Sequence, residues 1–332
     1  MNYGYFNQQQ GNYPVAEDYY NRCQPLYEEL GDKVALANLF NNFGNLCDNL
    51  SRYEDAESYF KKSIALALEA GDTWTAALNF NNLGNISTNR GDYDTAEKYY
   101  LECVELLRKL GERTSIASGL NNLGNLAAHR GDYETSRTYF LESLVLRREA
   151  GDKLGISYAL SNLGALSYLQ EDYPAALGYY LEGLEMRREL GDKFGVAASL
   201  TNLGLLAVRQ ENYLEGRRYF LESLDLKQEI KDRYGVAVAL CGLAAITARL
   251  GQREGSVEFL ESATRLAGAV AAIMKSINGI LQPGEREVYQ EVVEIGQKGL
   301  GETAYNRYFA GGEALDMDAA IEYARSATVR SV

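Results

Sequence analysis

The sequence predicts an all-α protein, a right-handed α-solenoid superhelix closed by a helical cap at its carboxyl end. Three observations carry that prediction. A phrase recurs at an unslipping step of 40 residues: Asn41-Asn42-Phe43-Gly44-Asn45, Asn81-Asn82-Leu83-Gly84-Asn85, Asn121-Asn122-Leu123-Gly124-Asn125, Ser161-Asn162-Leu163-Gly164 and Thr201-Asn202-Leu203-Gly204. A second phrase keeps the same step, with Tyr53, Tyr93, Tyr133, Tyr173 and Tyr213 each followed three residues later by Ala56, Ala96, Ser136, Ala176 or Gly216. The chain of 332 residues spends only 4 prolines against 32 glycines, a usage that suits many helices separated by short turns. Self-similarity at a fixed period of this length marks a stacked repeat in which each unit buries its apolar face on the next.

Within the clearest copy, a first helix is expected from about Lys153 to Gln170, with Leu160, Leu163, Gly164 and Leu166 on one stripe. A second helix starts near Tyr173, where Asp172 is a suitable N-cap and Pro174 falls in the first turn, whose N–H groups have no helical acceptor. Gly191 fits the left-handed position after that helix, and Asp192 can cap the next one. Gly44, Gly84, Gly124, Gly164 and Gly204 each cost ~1 kcal/mol of helix propensity, so the two helices of a pair should cross there at a distance that admits little more than a hydrogen. The aromatic pairs Tyr59-Phe60, Tyr99-Tyr100, Tyr139-Phe140, Tyr179-Tyr180 and Tyr219-Phe220 are expected to fill space between neighbouring pairs.

About seven helical pairs span 1–267, the first of them truncated, because Gly4 falls in the glycine slot and the chain starts in mid-helix. A fraying start, a chain that once continued upstream or is a fragment, and a kink or early helix end at Pro25 are the corresponding expectations. Residues 268–332 are expected to form capping helices, with a long apolar run from Ala267 to Leu281, a helix from Pro283 to near Gly299, and short helices near Thr303–Phe309 and Asp316–Ser326.

The Leu-Gly of the first helix, the small residue after Asp-Tyr and the aromatic beyond it resemble the tetratricopeptide repeat in its long form, with Gly-Asp linkers, over about Met1 to Ala267. The tail resembles the carboxyl end of bacterial STAND-type ATPases and related transcriptional regulators at Pro283, Glu285, Arg286, Leu300-Gly301-Glu302, Phe309, Gly312 and Leu315. That resemblance implies a sensor or docking arm of a signalling system. No Gly-x-x-x-x-Gly-Lys-[Ser/Thr] phosphate loop occurs in the chain, so the ATPase activity of such proteins is not expected of it.

The net charge of −13 opposes binding to nucleic acid or an anionic membrane surface, and no run of residues approaches the ~20 apolar positions of a spanning helix, so a cytoplasmic protein is expected. Cys23, Cys47, Cys103 and Cys241 are far apart and His129 is the sole histidine, so neither a metal site nor a cofactor is expected. The motifs of serine hydrolases and zinc peptidases are absent, and Glu102, Glu142, Glu182 and Glu222 recur in phase as a solvated helix face. A non-enzymatic role follows.

The candidate site is a column of amides. Asn38, Asn42, Asn45 and Asn49 share one helical stripe, as do Asn82, Asn85 and Asn89, with Asn122, Asn125, His129, Asn162 and Asn202 in the same slots farther on. Resemblance to the repeat family implies that first helices line the concave side, and the same long repeat in Pins-type polarity adaptors and kinesin light chains implies that such asparagines hold a target peptide. An amide offers a donor and an acceptor, so a ladder of amides can pair with the main chain of an extended peptide without reading its sequence. The same amides can instead bond one another and register the stack. Around the ladder the slots run from polar (Asn38, Ser118, Asn125) to apolar or cationic (Tyr158, Ala165, Leu169, Ala198, Leu205, Arg209, Val238, Arg249). The expected partner is a protein or extended peptide with a carboxylate or phosphate near Arg209 and Arg249 and an apolar anchor near Tyr158 and Leu205. A free-standing adaptor and a scaffold that self-associates through the truncated amino end are the alternatives.

Overall fold

The computed structural model describes residues 1–327; the last part of the expected capping segment, 328–332, lies outside the described residues. It contains helices and no strand among those residues. The helices fall into seven successive pairs, α1(Asn2–Gln9)/α2(Tyr13–Leu30), α3(Lys33–Asn49)/α4(Tyr53–Glu69), α5(Thr73–Asn89)/α6(Tyr93–Leu110), α7(Arg113–His129)/α8(Tyr133–Ala150), α9(Lys153–Leu169)/α10(Tyr173–Leu190), α11(Lys193–Arg209)/α12(Tyr213–Glu229) and α13(Arg233–Glu254)/α14(Val257–Ser276). Three further helices follow, α15(Pro283–Leu300), α16(Glu302–Glu313) and α17(Met317–Ala327). The chain divides into two compact units, Met1–Asn162 and Leu163–Val332.

Each pair begins and ends as its residues dictate. Asp72, Asp92, Asp132, Asp172, Asp192 and Asp232 accept a backbone N–H three residues on, which satisfies one of the donors a helix start leaves open. Gly111, Gly151 and Gly191 take the left-handed conformation that closes α6, α8 and α10, with φ of 74°, 67° and 68°. Pro25 does not end α2 early: the helix runs on to Leu30 and stops at Gly31, φ 63°.

The glycine inside each first helix faces an aromatic ring of its own pair. A Cβ on Gly44 would stand 2.4 Å from Phe60, on Gly84 2.4 Å from Tyr100, and on Gly124 2.5 Å from Phe140, where no real Cβ fits. The second aromatic of these doublets fills the crossing within its pair and also packs toward the next pair, where its role was expected: Phe60 shares a core with Leu83 and Ile86 of α5, and Tyr100 with Leu120 and Leu123 of α7. Gly4 meets Tyr20 in the same way, and the Tyr20 hydroxyl donates to Gln8 Oε1 at 2.7 Å, so the short α1 is held by side chains of α2.

In the second unit, α13 is long and apolar enough to cross a membrane by length and composition, but 89% of its most apolar window is buried inside the fold. Its neighbours are α14, α15 and α17, whose Val270, Val292, Ala320, Ile321 and Ala324 share one core with Val236, Leu240 and Leu243. α14 continues through 267, so the last repeat helix and the start of the expected cap are one continuous element.

Candidate functional site

In the first unit, the candidate residues lie along one face of α3, α5, α7 and the beginning of α9. Helical spacing puts Val34, Asn38, Asn42, Asn45 and Asn49 in line on α3, and Trp74, Leu78, Asn82, Asn85 and Asn89 in line on α5. Adjacent helices bring their amides together. Asn82 Nδ2 donates to Asn45 Oδ1 at 3.2 Å, Asn122 Nδ2 to Asn81 Oδ1 at 2.8 Å, and Asn162 Nδ2 to Asn121 Oδ1 at 2.6 Å. For the last two bonds the doubled asparagine of the motif is the reason: its first member, Asn81 or Asn121, accepts from the following repeat, whereas Asn82 turns to Asn45 and leaves the buried Asn41 Oδ1 without a partner. These amides join repeats, and each donor keeps one N–H and its carbonyl for other use.

The remaining ladder residues differ in engagement. Asn38 donates to the Val34 carbonyl at 3.0 Å and accepts from Thr75, and Asn85 accepts from the Tyr100 hydroxyl at 2.8 Å. Asn42, Asn49, Asn89 and Asn125 make no side-chain hydrogen bond among the described residues, and the last three are exposed. His129 is exposed and stacks on Tyr93, ring centroids 6.2 Å apart. Beside the amides runs a row of exposed apolar side chains, Val34, Trp74, Leu78, Leu154 and Tyr158. Of these only Tyr158 was anticipated from the sequence. The 40-residue step was the missed signal, since position 34 and four of its five equivalents carry an apolar or aromatic residue, Val34, Trp74, Leu154, Phe194 and Tyr234, with Thr114 the exception.

In the second unit, Asn202 stands between two cavities. One, about 220 Å³, is bounded by Ala165, Tyr168, Leu169, Tyr180, Asn202 and Leu205. Its walls are almost wholly apolar, and burial raises the Tyr180 phenol far above its ordinary range, so that ring stays neutral. Arg209 lies near its rim, exposed, with Nε on the Tyr168 hydroxyl at 2.9 Å, which leaves most of its donors open. The other cavity, about 210 Å³, is bordered by Phe194, Asn202, Lys227, Asp232, Tyr234 and Glu285 among others. Asn202 itself makes no side-chain hydrogen bond among the described residues. Its neighbour Thr201, in place of a ladder asparagine, turns inward to Ala197 O, Ser223 Oγ and the Lys227 ammonium.

Arg249 requires a correction. Its guanidinium is bound by both oxygens of Glu291 on α15, at 2.9 and 2.8 Å, and also donates to Val208 O. This bidentate pair already neutralises the charge expected to receive a partner's anion, so Arg249 fastens α15 to α13. Val238 is likewise buried rather than presented. Lys227, which the sequence did not single out, is only 6% exposed, and burial draws its ammonium down to about 8 against the opposing pull of Asp232 and Glu285. Among the described residues no group of three or more His, Cys, Asp or Glu is placed to hold a metal ion.

Comparison with known proteins agrees with this architecture. Two models of the tetratricopeptide repeat match the chain, one over residues 1–69, 115–189 and 195–269, the other over 80–111. Comparison with curated proteins returns no match. Among solved structures, the apo form of RapI superposes with a TM-score of 0.61 at 14% identity, over 89% of this chain and 95% of that one. The apo form of the quorum sensor NprR from B. thuringiensis gives 0.59 at 17% identity, over 88% and 85%. A STAND protein with a tetratricopeptide repeat sensor from Pyrococcus horikoshii gives 0.60 at 15% identity, over 90% of this chain and 51% of that one.

Proposed function

The chain belongs to the tetratricopeptide repeat family, and from that premise we propose that it is a protein-interaction module that takes an extended peptide along the exposed face of its first helices. The observation that carries this reading is the pairing, on one face, of open amides with a row of exposed apolar side chains that the core does not use: Asn42 with Val34 and Trp74 in the first unit, Asn202 with Phe194 in the second. Amides serve the peptide main chain, and pockets beside them serve its side chains. Each amide bond is worth about 0.5–1.5 kcal/mol net, so affinity must come chiefly from apolar anchors entering sites such as the cavity at Tyr168, Tyr180 and Leu205. The similar solved structures support the same direction, since one is a quorum sensor and another is a Rap protein in complex with competence and sporulation factor. A sensor or docking arm in a signalling system is the role that fits, and the likeness to a STAND sensor supports it.

The test is a fluorescence-anisotropy screen of the full chain against a pentapeptide library. Asn202→Ala with Phe194→Ala should weaken the best binders by about tenfold or more with unchanged melting. No binder in the library, or equal affinity in the double variant, refutes the reading.

A further inference from the structure

Three successive repeats carry a cation at one position of the second helix, Arg147, Arg187 and Lys227, each followed by an aspartate five residues on and a glycine eight residues on. In the first unit, Arg147 Nη1 donates to Asp152 Oδ2 at 2.7 Å while Nη2 reaches Ser118 Oγ at 3.1 Å. The glycine makes room for it: a Cβ on Gly155 would stand 1.8 Å from Nη1 and 2.0 Å from Asp152 Oδ2. In the second unit, Arg187 fills the corresponding place, donating to Gly195 O at 3.2 Å and to Ser199 Oγ at 2.5 Å.

Lysine at 227 breaks the series. The position equivalent to Ser199 is Ala239, which offers no acceptor, and the Lys227 ammonium turns instead to Thr201 Oγ1 at 2.9 Å. Asp232 keeps the geometry of its siblings, since a Cβ on Gly235 would stand 2.1 Å from its Oδ2, as one on Gly195 would from Asp192 Oδ2. Its Oδ1 accepts from Gly235 N at 2.9 Å, and it forms no ion pair among the described residues. The room left beside it is the 210 Å³ cavity, and α15 brings a second carboxylate to its wall. Glu285 accepts there from the Tyr234 hydroxyl and from Gln282 N with the same oxygen, Oε2, which leaves Oε1 open.

We propose that this cavity receives the cationic head of a basic side chain of the bound peptide, a guanidinium or primary ammonium, in the place that Arg147 and Arg187 fill from within their own repeats. The inference rests on the peptide-binding reading above. Two carboxylates with open oxygens outweigh the single ammonium at Lys227, so an anionic side chain meets net repulsion there and a cationic one is drawn in. Phe194, 66% exposed, and Tyr234 supply aromatic walls suited to a cation. The groups facing Lys227 are Thr201 and Asn202 from α11, Tyr234 of α13 with its capping Asp232, and Glu285 from α15. Deprotonation of Lys227 near pH 8 removes the one competing charge, so a guanidinium, which stays protonated, binds more tightly at pH 9 than at pH 7.

The experiment uses the full chain and two probes, n-butylguanidinium and the pentapeptides acetyl-Ala-Leu-X-Leu-Ala-amide with X as Arg, Lys, Gln or Glu, followed by ligand-detected NMR and anisotropy. Lys227→Arg restores the residue of the sibling repeats and fills the cavity; Asp232→Asn keeps the helix cap and removes the charge. Expected are binding of n-butylguanidinium to the wild type, its loss in Lys227→Arg, a roughly tenfold weakening in Asp232→Asn, and a preference of similar size for Arg or Lys over Glu at X. Binding of both probes unaltered by either variant, or a preference for Glu, overturns the proposal. Should pentapeptides bind irrespective of X with both variants silent, the cation site fails and the groove reading survives. Should n-butylguanidinium bind and respond to both variants while no peptide binds, the cation site stands and the peptide reading falls.

Discussion

The two units put the same motif to different uses. In the first, asparagines of the phrase bond from repeat to repeat, Asn82 to Asn45, Asn122 to Asn81 and Asn162 to Asn121. In the second, the doublet has become Thr201-Asn202; the threonine hydroxyl is spent inward, and Asn202 is left open between two cavities. The surface of the first unit is consequently built for register, with recognition added at its apolar row, while that of the second is built around cavities.

Each way of testing this contrast has a direction. The largest effect should come from the packing both units share: Gly124→Val drives two methyl groups into Phe140 and should cost about 2–3 kcal/mol, seen as a lower denaturation midpoint. Next is the pH response peculiar to the second unit. The Lys227 amine titrates near 8 when folded and near its ordinary 10.5 when unfolded, so between those values the unfolded chain holds more protons and stability rises with pH. The slope reaches at most about 1.4 kcal/mol per pH unit from pH 8 to 9.5, and Lys227→Met should flatten it. A smaller effect is expected of Asn122→Ala, which orphans Asn81 Oδ1 and should cost about 1 kcal/mol in the first unit. Asn202→Ala should leave stability nearly unchanged and act on binding alone; equal losses of stability in both variants would erase the distinction between the units. Smallest is Glu291→Gln. It weakens a partly exposed pair with Arg249 by about 1 kcal/mol or less, seen as a small fall in the denaturation midpoint.

The sequence exposed the fold well because a repeat prints its constraints many times over. The caps at Asp172 and Asp192, the turn at Gly191 and the glycine slots are all legible in the sequence, as is the reason for those glycines in outline. The partner ring was not: Phe60, Tyr100 and Phe140 lie over the glycine of their own pair, which spacing along one helix cannot reveal. The candidate face was legible in its asparagines and in Tyr158, Leu205 and Arg209. Trp74, Leu78, Leu154 and Phe194 went unnoticed because they lie one or two turns ahead of the amides on the same stripe, where an apolar residue reads as core until its exposure is known, and Lys227 because a lysine on a second helix resembles a solvated residue until its burial is known.

By itself, then, the sequence determined the helices, their pairing and the column on which amides fall, since periodicity, caps and turns act within or just beyond one helix. The tertiary structure alone decided which of those amides are spent. Hydrogen bonds and ion pairs between repeats, such as Asn122 with Asn81 or Arg249 with Glu291, depend on how far apart two helices lie and which way each is rotated about its axis, and packing sets both quantities.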